Sequence, residues 1–399
     1  MASQEKSAST DRDAGASSNG QAPALPVAGA AAPLARRYMP DSFDISVAGS
    51  GGLDQILFGP QRARRQPMRG FEDTYADIVD YILRITHRIW EEKDFGYIYD
   101  TYRAGARVTG GGGPRASRDE IIAESVAYSS AFPDLRLYGE EVIWAGDENI
   151  GFRTSHRLVE TGRNTGWSHL GPPSGKRIAV WCLANCTSAE NQIFDEWMLD
   201  NTAAVYLQLG VDLKAAARRA AAAEGLGRLA ASVGEIDRLQ GQGTPARLPV
   251  PTGSPFDPDA VVRYALHTIW NWRNLSHVDK LYASNVRFHG STNRELYGRG
   301  DVRAYVMGML SMFPDLALAV DEIYYQGNDA DGYLVAVRWS MTGTHLGPGG
   351  YGPPTGRRAY AWGLSQLVIQ RGQVTEEWNL FNEFEVLQQL LGDEPAHEQ

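Results

Sequence analysis

Two glutamates sit in matching strings, Asp195-Glu196-Trp197 and Glu376-Glu377-Trp378, within segments whose apolar and polar residues alternate as in a β-strand. Side chains two apart on a strand share a face, so Glu196 goes with Met198 and Asp200, and Glu377 with Asn379 and Phe381. Asp195 and Glu376 fall on the opposite face beside Trp197 and Trp378, where packing is the simpler role. A carboxyl turned into an apolar interior loses solvation, its pKa climbs toward neutrality, and it can serve as a general acid or base. At a strand edge the same group is a solvated or salt-bridged carboxylate. Both readings stand at this point.

Histidines supply the second set of proton carriers. His156 lies in the strand-like run Phe152-Arg-Thr-Ser-His-Arg157, whereas the corresponding place later in the chain holds Val337. His169 and His345 each begin a His-Leu-Gly string. Counted from the turns Pro-Pro-Ser-Gly-Lys-Arg177 and Pro-Pro-Thr-Gly-Arg-Arg358, however, His345 matches Asn164 and His169 matches Gly350. Each could shuttle a proton or simply hold a turn by hydrogen bonds. Cys182 and Cys186 lie on one strand face, so a disulfide between them has poor geometry, and a buried cysteine is ordinarily an inert small hydrophobe. Neither a Cys-x-x-Cys nor a His-x-x-x-His spacing occurs around them, so no metal and no other cofactor is expected. The aromatic residues Tyr97, Tyr99, Tyr102, Tyr138, Trp144, Trp167 and Trp181 could line a cavity for an apolar or cationic small molecule, or build core. Gly110 to Gly113 lacks the Gly-Lys-Ser/Thr phosphate signature and reads as a flexible loop.

The elements that must position these residues occur twice. Ile89-Trp90, Tyr102, Phe-Pro-Asp-Leu135, Glu141, the Pro-Pro turn, Trp181 and the Glu-Trp string recur as Ile269-Trp270, Tyr282, Phe-Pro-Asp-Leu316, Glu322, a second Pro-Pro turn, Trp362 and a second Glu-Trp string, about 180 residues later. The unit, of about 130 residues, is long enough for an independent globular fold. Helical spacing from Phe71 through Tyr75, Ile78, Val79, Ile82, Ile85 and Ile89 opens the first unit, and Val261, Val262, Leu266 and Ile269 open the second. After each Phe-Pro-Asp-Leu turn the period becomes strand-like, giving helices first and then a meandering antiparallel sheet. The boundaries expected are a disordered tail over 1–38, an arm over 39–70, a first domain over 71–213, a helix and Gly/Pro linker over 214–255, a second domain over 256–392 and a tail over 393–399.

At Gly343-Thr-His345-Leu-Gly, Gly-Pro-Pro-Thr-Gly-Arg-Arg358, Gly372-Gln-Val-Thr-Glu-Glu-Trp378 and Leu391-Gly392 the chain resembles the SnoaL-like polyketide or ester cyclases of the NTF2-like superfamily. The resemblance covers roughly residues 75 to 213 and 256 to 392. It implies an α+β architecture of two cystatin-like cones, each with N-terminal helices on a curved, mostly antiparallel sheet. Because relatives pair sheet to sheet, it also implies an intramolecular pseudo-dimer, leaving a homodimer of the whole chain open. The cyclases use a His and an Asp facing into the cone; those positions fall here on Ser365 and Asn379, and in the first copy on Ala184 and Met198. The pair is absent twice. If 198 and 379 point into the cone, so do Glu196, Asp200, Cys182 and Cys186 in the first copy, which makes it the richer pocket.

The function expected is therefore small-molecule, cofactor-free acid/base chemistry of cyclase, isomerase, hydratase or lyase type in the first cone. Glu196 is its central group, His156 or His169 assists, and Glu377 and His345 are the second-copy candidates. Tyr99, Tyr102, Trp144, Trp181, Cys182, Met198, Asp200 and Asn379 are the expected substrate contacts. The alternative is a non-catalytic binding or assembly module. A net charge of −10 argues against a nucleic-acid partner, and the basic run Arg62, Arg64, Arg65, Arg69 reads as a solvated arm. No apolar run reaches the length of a membrane span, and the acidic, Ser-rich start does not read as a secretory signal, so a cytoplasmic setting is expected.

Overall fold

The computed structural model describes residues 33–168, 171–224, 245–252 and 255–392. His169, most of the expected N-terminal tail, the middle of the expected linker and the C-terminal tail lie outside the described residues.

The first unit opens with helix α1 (Ile78–Trp90), whose N-cap Asp77 accepts from the Asp80 amide. Strands β1 (Tyr102–Gly110) and β2 (Gly113–Arg115) follow, then α2 (Arg118–Ala131). The sequence Ser117-Arg-Asp-Glu120 starts α2, and the Ser117 hydroxyl accepts from the Glu120 amide at 3.1 Å, half of a capping box. Then come the long strands β3 (Arg136–Asp147), β4 (Gly151–Arg163), β5 (Arg177–Ala189) and β6 (Gln192–Leu199). Helix α3 (Leu213–Glu224) leads away.

The second unit repeats this order with α4 (Pro258–Leu266), which begins on Asp257-Pro258 and runs into a π-helical turn at His267–Asn271. Its sheet consists of β7 (Tyr282–Gly290), β8 (Arg294–Tyr297), β9 (Ala317–Asn328), β10 (Gly332–Thr344), β11 (Arg358–Gln370) and β12 (Gln373–Phe381). Helix α5 (Gly298–Met312) intervenes, and α6 (Glu383–Leu391) closes the chain.

Each sheet has six strands, ordered β2-β1-β6-β5-β4-β3 and β8-β7-β12-β11-β10-β9. All neighbours are antiparallel except β1 with β6 and β7 with β12. The β5–β6 and β11–β12 hairpins turn on two residues of positive φ, Glu190-Asn191 and Arg371-Gly372, the turn whose twist suits a two-residue hairpin. The expected α+β architecture of two domains, each with helices on a mostly antiparallel sheet, is what forms. The register bears out the gapless count: His156 opposes Ala184 and Ala184 opposes Met198, while Val337 opposes Ser365 and Ser365 opposes Asn379.

One face of each sheet packs on its own helices. The other faces of β5, β6, β11 and β12 share a buried cluster of Leu183, Leu199, Tyr360, Trp362, Leu364 and Leu380. Two contacts across this seam are reciprocal. The Arg157 guanidinium lies 3.5 Å from the Trp378 ring centroid, and Arg338 lies 4.3 Å from that of Trp197.

The arm touches both units. Met39 is buried in the second core, the Gly327 amide donates to the Pro40 carbonyl, and the Trp144 indole donates to the Ile45 carbonyl. Its basic run is largely exposed, as expected, and its arginines also find partners. Arg62 pairs with Asp80, Arg65 with Asp77 and Arg64 with Asp73, while Arg69 donates to the Glu148 carbonyl. Asp77 and Asp80 are buried at the start of α1, so the arginines compensate charges that would otherwise stand alone. Among the described residues no helix is long and apolar enough to cross a membrane.

Candidate functional site

Alternation along β12 turns Glu377 and Asn379 toward the helices, and β11 brings Ser365 opposite Asn379. The groups form a connected set. The Tyr282 hydroxyl donates to Glu377 Oε2 at 2.6 Å, and Asn379 Nδ2 donates to Glu377 Oε1 at 3.0 Å. Asn379 Nδ2 also reaches Ser365 Oγ at 2.9 Å, which in turn accepts from the Trp339 indole at 3.0 Å. Trp339 can lie flat over β11 because residue 363 is glycine: a Cβ there would stand 2.2 Å from its ring.

These residues line a cavity of about 30 Å³, closed on the helix side by Leu266, Trp270, Val302, Tyr305 and Val306 and on the sheet side by Val337, Trp339, Met341 and Leu367. Burial pushes the Glu377 carboxyl up to about 7, and the hydrogen bonds from Tyr282, Asn379 and Ser365 hold it from going further. Tyr282, also desolvated, stays a protonated donor because its own pKa is raised well above the usual range. The site therefore offers one carboxyl able to take or give a proton near neutrality, a fixed hydroxyl donor, an amide and a serine.

The first unit keeps the same tyrosine and glutamate. The Tyr102 hydroxyl donates to Glu196 Oε2 at 2.9 Å, and Cys186 Sγ donates to Glu196 Oε1 at 3.5 Å. Burial again raises the Glu196 pKa. The interior around it is filled differently, because the places of Met309, Met341 and Gly363 hold Tyr128, Glu160 and Cys182. Tyr128 donates to Glu160 Oε2 at 2.9 Å. This cavity belongs to the second copy; the expectation had been for the first.

Glu160, Cys182 and Asp200 each bring a ligand atom within 4.8 Å of one another. Burial and the neighbouring Asp200 push Glu160 upward, and burial pushes the Cys182 thiol well above its usual value. Without a metal, the protonated thiol and carboxyl form a hydrogen-bonded pair, and ligation would release both protons.

Other expected site residues lie elsewhere. His156 is buried on β4, its Nε2 meets no hydrogen-bond partner among the described residues, and burial lowers its pKa to about 4. It is a neutral imidazole packed near Gly139 and Leu83. His345 is buried where the first copy has Asn164, and its Nδ1 accepts from the Thr355 amide as the Asn164 side chain accepts from Ser174. It holds a turn. Tyr99 is 48% exposed and donates to Asp119. Trp181 faces the seam between the sheets. Trp144 packs under the arm beside a separate hollow of about 460 Å³ with Pro40, Ser42, Asp44, Ile45 and Arg65. Met198 opposes Ala184 as counted, and Asn379 lies in the cavity. The expected list lacked Tyr282, Ser365 and Trp339. Tyr282 had a signal, since it is the partner of Tyr102 in the repeat.

Comparison with known proteins gives the following. No curated protein matches the chain. Among solved structures, IdmH from Streptomyces antibioticus is 24% identical over 34% of this chain and 99% of its own, with a TM-score of 0.30. AclR from Streptomyces galilaeus is 28% identical over 35% and 88%, with a TM-score of 0.29. TsrD from Streptomyces laurentii is 22% identical over 34% and 97%, with a TM-score of 0.30. The family model that matches, over residues 260–390, is that of the SnoaL-like polyketide cyclases, so the second unit of this chain is a SnoaL-like domain.

Proposed function

We propose that the second domain carries out cofactor-free proton-transfer chemistry on a small molecule, of cyclase, isomerase, hydratase or lyase type, with Glu377 as the acid/base group. The observation that carries this reading is the buried Glu377 carboxyl, held by Tyr282 and Asn379 at the wall of an apolar cavity and pushed up to about 7. Such a group exchanges protons with a carbon or oxygen acid near neutral pH, while the Tyr282 hydroxyl keeps its carboxylate oriented. The first domain then covers the back of the second sheet, and the reciprocal Arg–Trp contacts support an intramolecular pseudo-dimer.

A test is deuterium incorporation into small ketones (acetone, cyclopentanone, 2-cyclohexenone) in heavy water, followed by NMR. The full chain is expected to accelerate exchange on at least one of them, and Glu377→Gln to lose roughly 10²-fold or more of that rate. Equal rates with the variant and the natural chain would overturn the catalytic role.

A second reading, a binding module without turnover, is favoured by the small size of the cavity. About 30 Å³ is the scale of a water molecule or a small headgroup, so a larger ligand must displace side chains on the helix side.

A further inference from the structure

The repeat allows the two interiors to be compared position by position. In the first unit Arg115 on β2 opposes Val108, and Val108 lies beside Glu196. Its guanidinium, only 16% exposed, pairs with Glu124 of α2, and its charge acts on both Glu196 and Asp200. The first interior thus carries an Arg115–Glu124 ion pair whose cation also acts on Glu196 and Asp200. In the second unit β8 opposes Phe288 with Leu296, and Phe288 lies beside Glu377. The place of Glu124, eight residues before the Phe of Phe-Pro-Asp-Leu, is taken by Tyr305. Arginine and its glutamate have become leucine and tyrosine while the buried Glu377 remains. Among the described residues no basic side chain lines the cavity, and aromatic rings line much of it.

A buried carboxylate without a cation, among aromatic rings, is complementary to a ligand that brings a positive charge on an apolar body. We propose that the second cavity, enlarged by displacement of side chains on its helix side, receives a small alkylammonium cation, whose charge stands where the first unit places Arg115 and whose methyl groups meet Trp270, Tyr282, Phe288, Tyr305 and Trp339. The inference rests on reading the cavity as a small-molecule site with Glu377 as its ionisable group.

The test is calorimetry of the full chain with methylammonium, dimethylammonium, trimethylammonium and tetramethylammonium chlorides, using sodium chloride at matched strength as background and tert-butanol as the uncharged comparison. Binding of at least one cation roughly tenfold tighter than tert-butanol is expected. The affinity should rise as pH passes upward through about 7, because the carboxylate is the form that attracts the cation. Tyr282 of β7 and Tyr305 of α5, which also face the cavity, keep their protons over that range, and nearby Arg294 is already paired with Glu383. Glu377→Gln should remove both the preference and its pH dependence. Leu296→Arg should abolish cation binding by restoring the internal charge; if that variant does not fold, Glu377→Gln decides alone. Equal affinity for tert-butanol, absence of any pH dependence, or no binding by any member of the series overturns the proposal. Ketone exchange that persists while no cation binds would sink this inference and leave the catalytic reading standing. Cation binding without Glu377-dependent exchange would do the reverse.

Discussion

Glu377 and His156 have pKa values displaced in opposite directions by the same cause, burial, and each leaves a signature in the pH dependence of stability. Glu377 rises from 4.5 to about 7, so between those values the native protein keeps a proton that the unfolded chain has released. Stability then falls as pH rises through that window, by roughly 3 kcal/mol in total. In Glu377→Gln this slope is absent, so the difference between variant and natural chain should grow from pH 4.5 to about 7 and then stay level, as urea unfolding at a series of pH values would show. A difference that does not change with pH would mean the carboxyl is ionised at ordinary value in the fold. If Glu377 is the base, kcat/KM should rise over the same range. His156 falls from 6.5 to about 4, so the unfolded chain takes up a proton that the native one refuses, and stability is lost as pH drops through that interval. Replacing it with the residue of the second copy, His156→Val, should flatten the acid limb by roughly 3 kcal/mol. An unchanged acid limb would show that His156 is protonated in the native protein.

At the scale of elements, the arm is held to α1 by charge as well as by apolar contact. Asp80 is 1% exposed and receives Arg62 at 3.2 Å, Arg84 at 2.8 Å and the Ala76 amide at 2.8 Å. Asp80→Asn leaves two guanidiniums without their carboxylate and should cost about 3 kcal/mol, read as a lower Tm. Trypsin should then cut sooner at Arg62, Arg64 and Arg65; unchanged cleavage would show that Ile56 and Met68 anchor the arm by themselves. The helices and strands were legible in the sequence because their signals are local: the spacing of Ile78, Ile82, Ile85 and Ile89, the stop at Phe-Pro-Asp-Leu, the alternation that follows it. The inward place of Glu377 was legible too, through alternation. Strict alternation would also have separated Trp181 from Cys182, since adjacent strand residues face opposite sides. The cavity beside Glu377 was not legible, because its walls, among them Trp270, Tyr305, Trp339 and Leu367, come from helices and strands far apart in sequence.

For the whole molecule, Arg157 with Trp378 and Arg338 with Trp197 are reciprocal pairs at matching places of the two units, the observation that supports the proposed pseudo-dimer. The halves have since diverged. Gln366 donates to the Ser155 carbonyl and hydroxyl and accepts from Arg157, whereas its counterpart Asn185 is buried with neither side-chain polar atom hydrogen-bonded among the described residues. Arg157 also donates to Glu140. Its guanidinium thus joins three partners across and along the seam, and Arg157→Ala should cost about 2 to 3 kcal/mol, against about 1 kcal/mol for Arg338→Ala. The two domains are expected to unfold together in the natural chain, since the cluster of Leu183, Leu199, Leu364 and Leu380 belongs to neither alone. With both arginines replaced, that cluster loses the flanking contacts that keep water from its edge, and calorimetry should resolve two transitions in place of one. A single transition in the double variant would assign the coupling to the leucines and to the edge-on Trp197–Trp362 contact, whose rings stand 5.0 Å apart, and would leave the arginines only a role in register.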